Sequence, residues 1–153
     1  VTEEIKKGLA GVVVDTTAVS KVVQETNSLT YRGYPVQELA AKRSFEDVAY
    51  LIWNGELPTE AQLAEFQERE RSQRAIDDKG ALAPEADTEG AEANLAKAER
   101  LDAQLPTIVA IDHRRRHGLD PVAPTKDLGY AANFFKMVFD EVPADEVVRC
   151  FDV

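Results

Sequence analysis

The hydrophobic period of this chain changes once, at Ser44, and that change restricts the fold more than any other feature. Ahead of it lie branched apolar runs at Leu9–Val14 and Val19–Val23, then Ser28–Val36, which ends in Tyr-Arg-Gly-Tyr-Pro-Val. Asp15-Thr-Thr and Glu25-Thr-Asn-Ser separate the runs with turn-forming residues. The pattern predicts an antiparallel hairpin, or three short strands, over about 9–36. So small a sheet is marginal alone and needs a helical layer to lie on.

From Ser44 the apolar residues recur at helical spacing. Ser44 with Asp47 forms a capping-box pattern, and Phe45, Val48, Ala49, Leu51 and Ile52 follow until Gly55 stops the helix. A second box, Thr59 with Gln62, opens another helix after Leu57-Pro58. Leu63 and Phe66 are expected on its inner side, with Glu65, Glu68, Arg69, Glu70 and Arg71 on the outer, as far as about Ile76. Asp77–Glu89, with Gly80 and Pro84, reads as an exposed linker. Helical spacing resumes over Glu89–His117, with Leu95, Ala98, Leu101, Leu105, Ile108, Val109 and Ile111 apolar. Pro106 predicts a kink, and Gly118 the end of the helix. Leu119–Asp127 is a loop, Leu128–Phe139 a further helix, and Pro143 stands in the first turn of one more that carries Val147, Val148 and Phe151. The expected fold is mainly α, with helices over about 44–153 behind a short amino-terminal β-hairpin.

Charge excludes some partners. With 18 basic against 28 acidic residues the net charge is −10, which disfavours nucleic acid and anionic membrane surfaces. Cys150 has no second cysteine to pair with, mean hydropathy is −0.34, and no apolar run is long enough to span a bilayer. Val1–Ala10 lacks the apolar stretch of a signal peptide, so the chain reads as cytoplasmic. Its valine start suggests processing or a fragment boundary upstream. The absence of a cap after Phe151 suggests truncation downstream.

Few residues offer chemistry. Arg114-Arg115-Arg116, flanked by His113 and His117, is either an anion site or a set of cations satisfying the last turn of a helix; the second reading is preferred. His113 and His117 have the i, i+4 spacing of zinc ligands. No glutamate follows His113 and no third ligand is evident, so no metal is expected. Cys150 is expected in the core, as are Trp53, Phe134, Phe135 and Phe139. The pairs Asp77-Asp78 and Glu3-Glu4 lie in polar surroundings unsuited to acid catalysis. There is no Walker loop, no GxGxxG and no GxSxG, and no catalytic residue or cofactor site is assigned.

Gly8-Leu-Ala-Gly-Val-Val-Val-Asp and Ser28-Leu-Thr-Tyr-Arg-Gly-Tyr-Pro-Val resemble the amino-terminal end of the citrate synthase family, most of all its 2-methylcitrate synthase branch. Ser44-Phe-Glu-Asp-Val-Ala-Tyr-Leu-Ile-Trp-Asn-Gly-Glu-Leu-Pro-Thr and Leu128-Gly-Tyr-Ala-Ala-Asn-Phe-Phe-Lys-Met resemble later helices of that family. The resemblance implies a dimeric, mostly helical acyltransferase of propionate metabolism or the tricarboxylic acid cycle, condensing propionyl-CoA or acetyl-CoA with oxaloacetate. Family members use two histidines and an aspartate, in part within His-Gly-Gly-Ala-Asn, Phe-Gly-His and Ala-Glu-His motifs. None of these motifs occurs here, so the chain is expected to be a partial, inactive member.

The family also has room for two more helices, with a His-Pro-Met-Asp segment, where this chain has only Asp77–Glu89. A deletion junction is therefore expected near 78–83, leaving apolar faces of neighbouring helices uncovered. Arg32 and Asn54 are the candidate substrate-binding residues, because the family's amino-terminal region approaches its cleft. The competing reading has Arg32 capping or pairing internally, with Gly33 and Gly55 as turn glycines. Three roles follow: an inactive descendant of the synthase, an interaction fragment packing on an intact subunit or on itself, or a small-molecule module built on Arg114–Arg116.

Overall fold

A computed structural model describes residues 8, 11–13, 15–76 and 87–152. The sheet is antiparallel, in the order β1 (Ser20–Val23), β2 (Ser28–Tyr31) and β3 (Tyr34–Pro35). Val22 faces Leu29 across the first pair, and Tyr31 faces Tyr34 across the second. Three strands form, though not the three expected. Gly11, Val12 and Val13 belong to no strand, and Val13 is 83% exposed; the rest of Leu9–Val14 lies outside the described residues. The third strand arises instead by division of Ser28–Val36 at Arg32-Gly33.

Six α-helices follow among the described residues: α1 (Val36–Lys42), α2 (Phe45–Asn54), α3 (Glu60–Gln73), α4 (Ala91–Arg116), α5 (Tyr130–Phe139) and α6 (Asp145–Asp152). The sequence reading missed α1, whose first residue follows Pro35 directly. Both capping boxes form as expected. The Ser44 hydroxyl accepts from the Asp47 N–H while the Asp47 carboxylate accepts from the Ser44 N–H, and Thr59 and Gln62 repeat the arrangement. α4 runs unbroken through Pro106, which is buried. α5 begins at Tyr130, two residues later than expected, because the Leu128 carbonyl is held by Arg74 and Gly129 takes the cap position. The expected deletion junction near 78–83 lies outside the described residues.

The core lies where α4 meets α3 and α5. Ala110, Met137 and Val138 form its centre with Phe134 against them, and Leu51 and Phe66 are buried to one side. α4 enters this core by its less apolar face. Ala103, Pro106, Thr107, Ala110 and Arg114 are buried, whereas Leu101, Leu105, Ile108 and Val109 are exposed. The helix thus turns its small and polar stripe inward and its bulky apolar stripe to solvent. Phe139 is also exposed, at 56%, and Cys150 is exposed on α6, so neither occupies the core place expected of it. On the same helix Phe151 stacks on Phe134 and meets Phe135 edge-on, joining α6 to α5.

Candidate functional site

Both candidate substrate contacts stand at one end of α2. Arg32 and Gly33 form a two-residue hairpin loop between Tyr31 and Tyr34, with φ of 49° and 90°. Positive φ at both central residues gives the twist that two paired strands require. Arginine is a costly occupant of the first position, by roughly 1–2 kcal/mol. Its side chain offsets that cost, since Nε and Nη2 donate to the Ile52 carbonyl at 3.0 and 2.6 Å. Ile52 carries one of the last four carbonyls of α2, which have no partner within the helix, and a cation there also suits the helix dipole. Gly55, at φ 90°, completes the end by donating to Leu51. The guanidinium of Arg32 is therefore engaged inside the chain. Asn54, two residues past Ile52, is exposed and donates Nδ2 to the Tyr50 carbonyl at 3.0 Å.

A hollow of about 430 Å³ opens elsewhere, between the sheet, α1, the start of α2 and the end of α6. Leu29, Leu39, Phe45 and Val48 give it apolar walls, with Arg43 and Asp152 among its polar residues. Asp152 accepts from the Phe45 N–H at 3.3 Å, and Arg149 donates to the Ala41 carbonyl at 2.9 Å, so α6 is tied to α1 and α2. Neither Arg32 nor Asn54 lines this hollow.

The densest polar chemistry is buried and was not anticipated. Glu70, expected on the outer face of α3, is 5% exposed, and Arg74 just beyond that helix is 2% exposed. Arg74 grips Glu70 through Nε and Nη2 at 2.7–3.0 Å, while its Nη1 donates to the carbonyls of Thr125 and Leu128 at 2.9 and 2.8 Å. The Arg74 carbonyl in turn accepts from Thr107 Oγ1 at 2.8 Å. One guanidinium thereby joins α3, the loop ahead of α5 and, through its own backbone, α4.

Two further carboxylates, Glu46 and Asp102, come close enough to feel Glu70. Burial pushes Glu46 up from the ordinary glutamate range, helped by Asp152 and Glu70 and opposed by backbone N–H donors, including that of Tyr130. Burial likewise raises Asp102 to about 6, with Glu70 and Glu46 adding to it. Tyr130, which donates to the Asp102 carbonyl at 3.1 Å and stacks on Phe45 at 4.0 Å, is also raised by burial first. A signal for Glu70 and Arg74 existed in the sequence: Leu63, Phe66, Glu70 and Arg74 follow helical spacing on a single face.

The arginine cluster at the end of α4 divides. Arg114 is buried and donates to the carbonyls of Asp120 and Val138, tying the loop after α4 to the end of α5. Arg116 pairs with Asp112 at 2.8 Å, and Arg115 is exposed. These bonds are internal to the chain, though those of Arg114 reach the following loop and the last turn of α5 where the last turn of α4 itself was expected. His117 Nδ1 lies 2.8 Å from the His113 carbonyl, with the two rings 4.3 Å apart. Among the described residues no three His, Cys, Asp or Glu side chains stand together as a metal would require, and no helix is long and apolar enough to cross a membrane. Asp77-Asp78 and Glu3-Glu4 lie outside the described residues.

Comparison with known proteins places this architecture. The family model described as "Citrate synthase, C-terminal domain" matches residues 8–83 and 79–153, two runs that meet at 79–83. The 2-methylcitrate synthase of Mycobacterium tuberculosis H37Rv is 55% identical over 172 residues, covering 97% of this chain and 44% of the relative. A citrate synthase of Mycolicibacterium smegmatis is 56% identical over 173 residues, covering 97% and 46%. The crystal structure of citrate synthase from Pyrobaculum aerophilum superposes with a TM-score of 0.86 at 32% identity, covering 95% of this chain and 44% of that one. The chain thus spans somewhat less than half the length of the relatives it matches.

Proposed function

The chain belongs to the citrate synthase family, and from that premise we propose that it is a partial, internally deleted member, descended from an enzyme that condenses propionyl-CoA or acetyl-CoA with oxaloacetate and inactive by itself. The observation that carries this reading is a mismatch between likeness and content. Identity of 55% extends over nearly the whole chain, yet none of the family's His-Gly-Gly-Ala-Asn, Phe-Gly-His or Ala-Glu-His motifs is among its residues. Condensation requires an enol stabiliser, a base and a carbonyl polariser held together, and no such trio is assembled among the described residues. The test is release of free CoA from propionyl-CoA, and separately from acetyl-CoA, in the presence of oxaloacetate. A rate above that of buffer overturns the proposal.

The deletion near 78–83 is supported by the meeting of the two matched runs there, and by an alignment of 172 residues against a chain of 153. Restoring the relatives' intervening residues should cover the outer stripe of α4 and reduce binding of an apolar fluorescent dye. Unchanged dye binding counts against the deletion. In the parent enzyme Asn54 is the better candidate to meet substrate, because it is exposed whereas Arg32 is engaged with Ile52.

The alternative of a non-catalytic interaction fragment also has an observation in its favour. Leu101, Leu105, Ile108 and Val109 are 38–58% exposed on one face of α4, a contiguous apolar stripe of the kind that marks an association surface. Light scattering after size exclusion tests it, alone and mixed with an intact synthase of the M. tuberculosis type. A monodisperse monomer in both leaves this reading without support.

A further inference from the structure

We propose that Asn54-Gly55 is a self-modification site, where the side-chain amide of Asn54 is lost by ring closure at a rate set by opening of the last turn of α2. The inference does not depend on the condensation reading. The chain's asparagines are Asn27, Asn54, Asn94 and Asn133, followed in turn by Ser28, Gly55, Leu95 and Phe134. Of those followers only glycine has no side chain to crowd its backbone nitrogen, which is the attacking atom. Asn54 is exposed, and the space around Gly55 is open: even an added Cβ would meet nothing within 4 Å.

The chemistry needs only water. Base removes the Gly55 amide proton, the nitrogen attacks Asn54 Cγ, and the new C–N bond closes a cyclic imide as the Cγ–Nδ2 bond breaks and ammonia leaves. Water then opens the imide at either carbonyl, leaving aspartate or isoaspartate at position 54. The folded structure withholds both reacting groups. Asn54 Nδ2 donates to the Tyr50 carbonyl at 3.0 Å, and the Gly55 N–H donates to the Leu51 carbonyl at 2.8 Å. Helical side chains lean toward the amino terminus, so the Asn54 amide is drawn back along α2, away from the nitrogen that follows it. Both bonds must break before attack. Helix ends open more readily than their middles. Here Arg32 donates twice to the Ile52 carbonyl, at 3.0 and 2.6 Å, and pins the same turn to the hairpin. Arg32 is therefore the latch on the reaction, although its bonds go to neither reacting residue. The product opposes its own surroundings. A carboxylate at the last residue of α2 stands where the helix concentrates negative charge, and isoaspartate adds a methylene to the backbone just before the Gly55 cap.

The test incubates the unaltered full chain in mildly alkaline buffer, with and without urea, and follows the peptide spanning 54 and 55 by mass spectrometry, reading isoaspartate from backbone fragmentation. Isoaspartate is expected at position 54, with Asn27, Asn94 and Asn133 unchanged over the same period. Urea should speed its formation about tenfold or more, because the two bonds that withhold the reacting groups are then lost. Arg32→Gly removes the bonds to Ile52 and relieves the positive φ at that position; it should speed the reaction of the folded chain about tenfold and leave the rate in urea unchanged. The comparison with urea needs no variant, so it decides even where Arg32→Gly disturbs folding. Absence of isoaspartate at position 54, equal rates with and without urea, or a folded-chain rate unmoved by Arg32→Gly overturns the proposal.

Discussion

Replacing Arg74 with alanine tests whether one guanidinium holds α3, α4 and α5 in register. The substitution removes three short contacts to Glu70 and two to the carbonyls of Thr125 and Leu128, all within 2.7–3.0 Å. It leaves the Glu70 carboxylate buried beside Glu46 and Asp102 with its cation gone. Breaking a buried pair from one side costs about 3–5 kcal/mol. Against the 5–15 kcal/mol of an ordinary domain that is about a fifth of the whole or more. Urea unfolding followed by circular dichroism should show a midpoint lower by roughly 2 M at unchanged slope, for slopes of about 1–3 kcal/mol per molar. The double variant Glu70→Met with Arg74→Met removes both charges while keeping volume, and should recover about half of the loss or more. A single-variant cost below about 1 kcal/mol, or a double variant no better than the single, refutes the clasp as described.

Three further outcomes follow from the same structure. The folded-state value of Asp102, about 6, lies above its unfolded value near 3.8, so the folded protein binds the extra proton and stability falls as pH climbs through that interval. Asp102→Asn should therefore raise the melting temperature at pH 7–8, with a gain that fades toward pH 4; a lower melting temperature at pH 8 contradicts the burial argument. Arg32→Gly and Arg32→Ala both lose the bonds to Ile52, but only alanine retains the strain of φ 49°, so the alanine variant should be less stable by about 1 kcal/mol in chemical denaturation. Ser44→Ala breaks the first capping box and should cost about 1 kcal/mol, whereas equal stability would mean that water replaces the cap without loss.

What was legible in the sequence depended on how local its cause is. Ser44 with Asp47 and Thr59 with Gln62 act within a single turn, and both helix starts fell where their side chains put them. Gly33 as a turn glycine with Arg32 capping internally was one of the two readings the sequence offered; that the cap is the Ile52 carbonyl, twenty residues away, no local pattern reports. α4 shows a different limit. Leu101, Leu105, Ile108 and Val109 carry the apolar weight of the helix, but Ala103, Thr107 and Ala110 allow the close approach to α5, and spacing alone does not say which face is buried. Of the candidate site residues, Arg32 and Asn54 were placed at one helix end, while the clasp of Glu70 and Arg74 went unread because alternating charges on α3 were taken for a solvated surface.

The Arg74 clasp bears on how a shortened chain could still close. Its bonds join residues 51 and 54 positions apart, so the intervening segment must be looped out before any of them forms. The entropy lost in closing a loop grows only with the logarithm of its length, and shortening it by a modest fraction eases closure by a few tenths of a kcal/mol. The deletion proposed between α3 and α4 would thus slightly favour the innermost joint while stripping cover from the outermost helix face. Its harm falls on solubility before it falls on the interior.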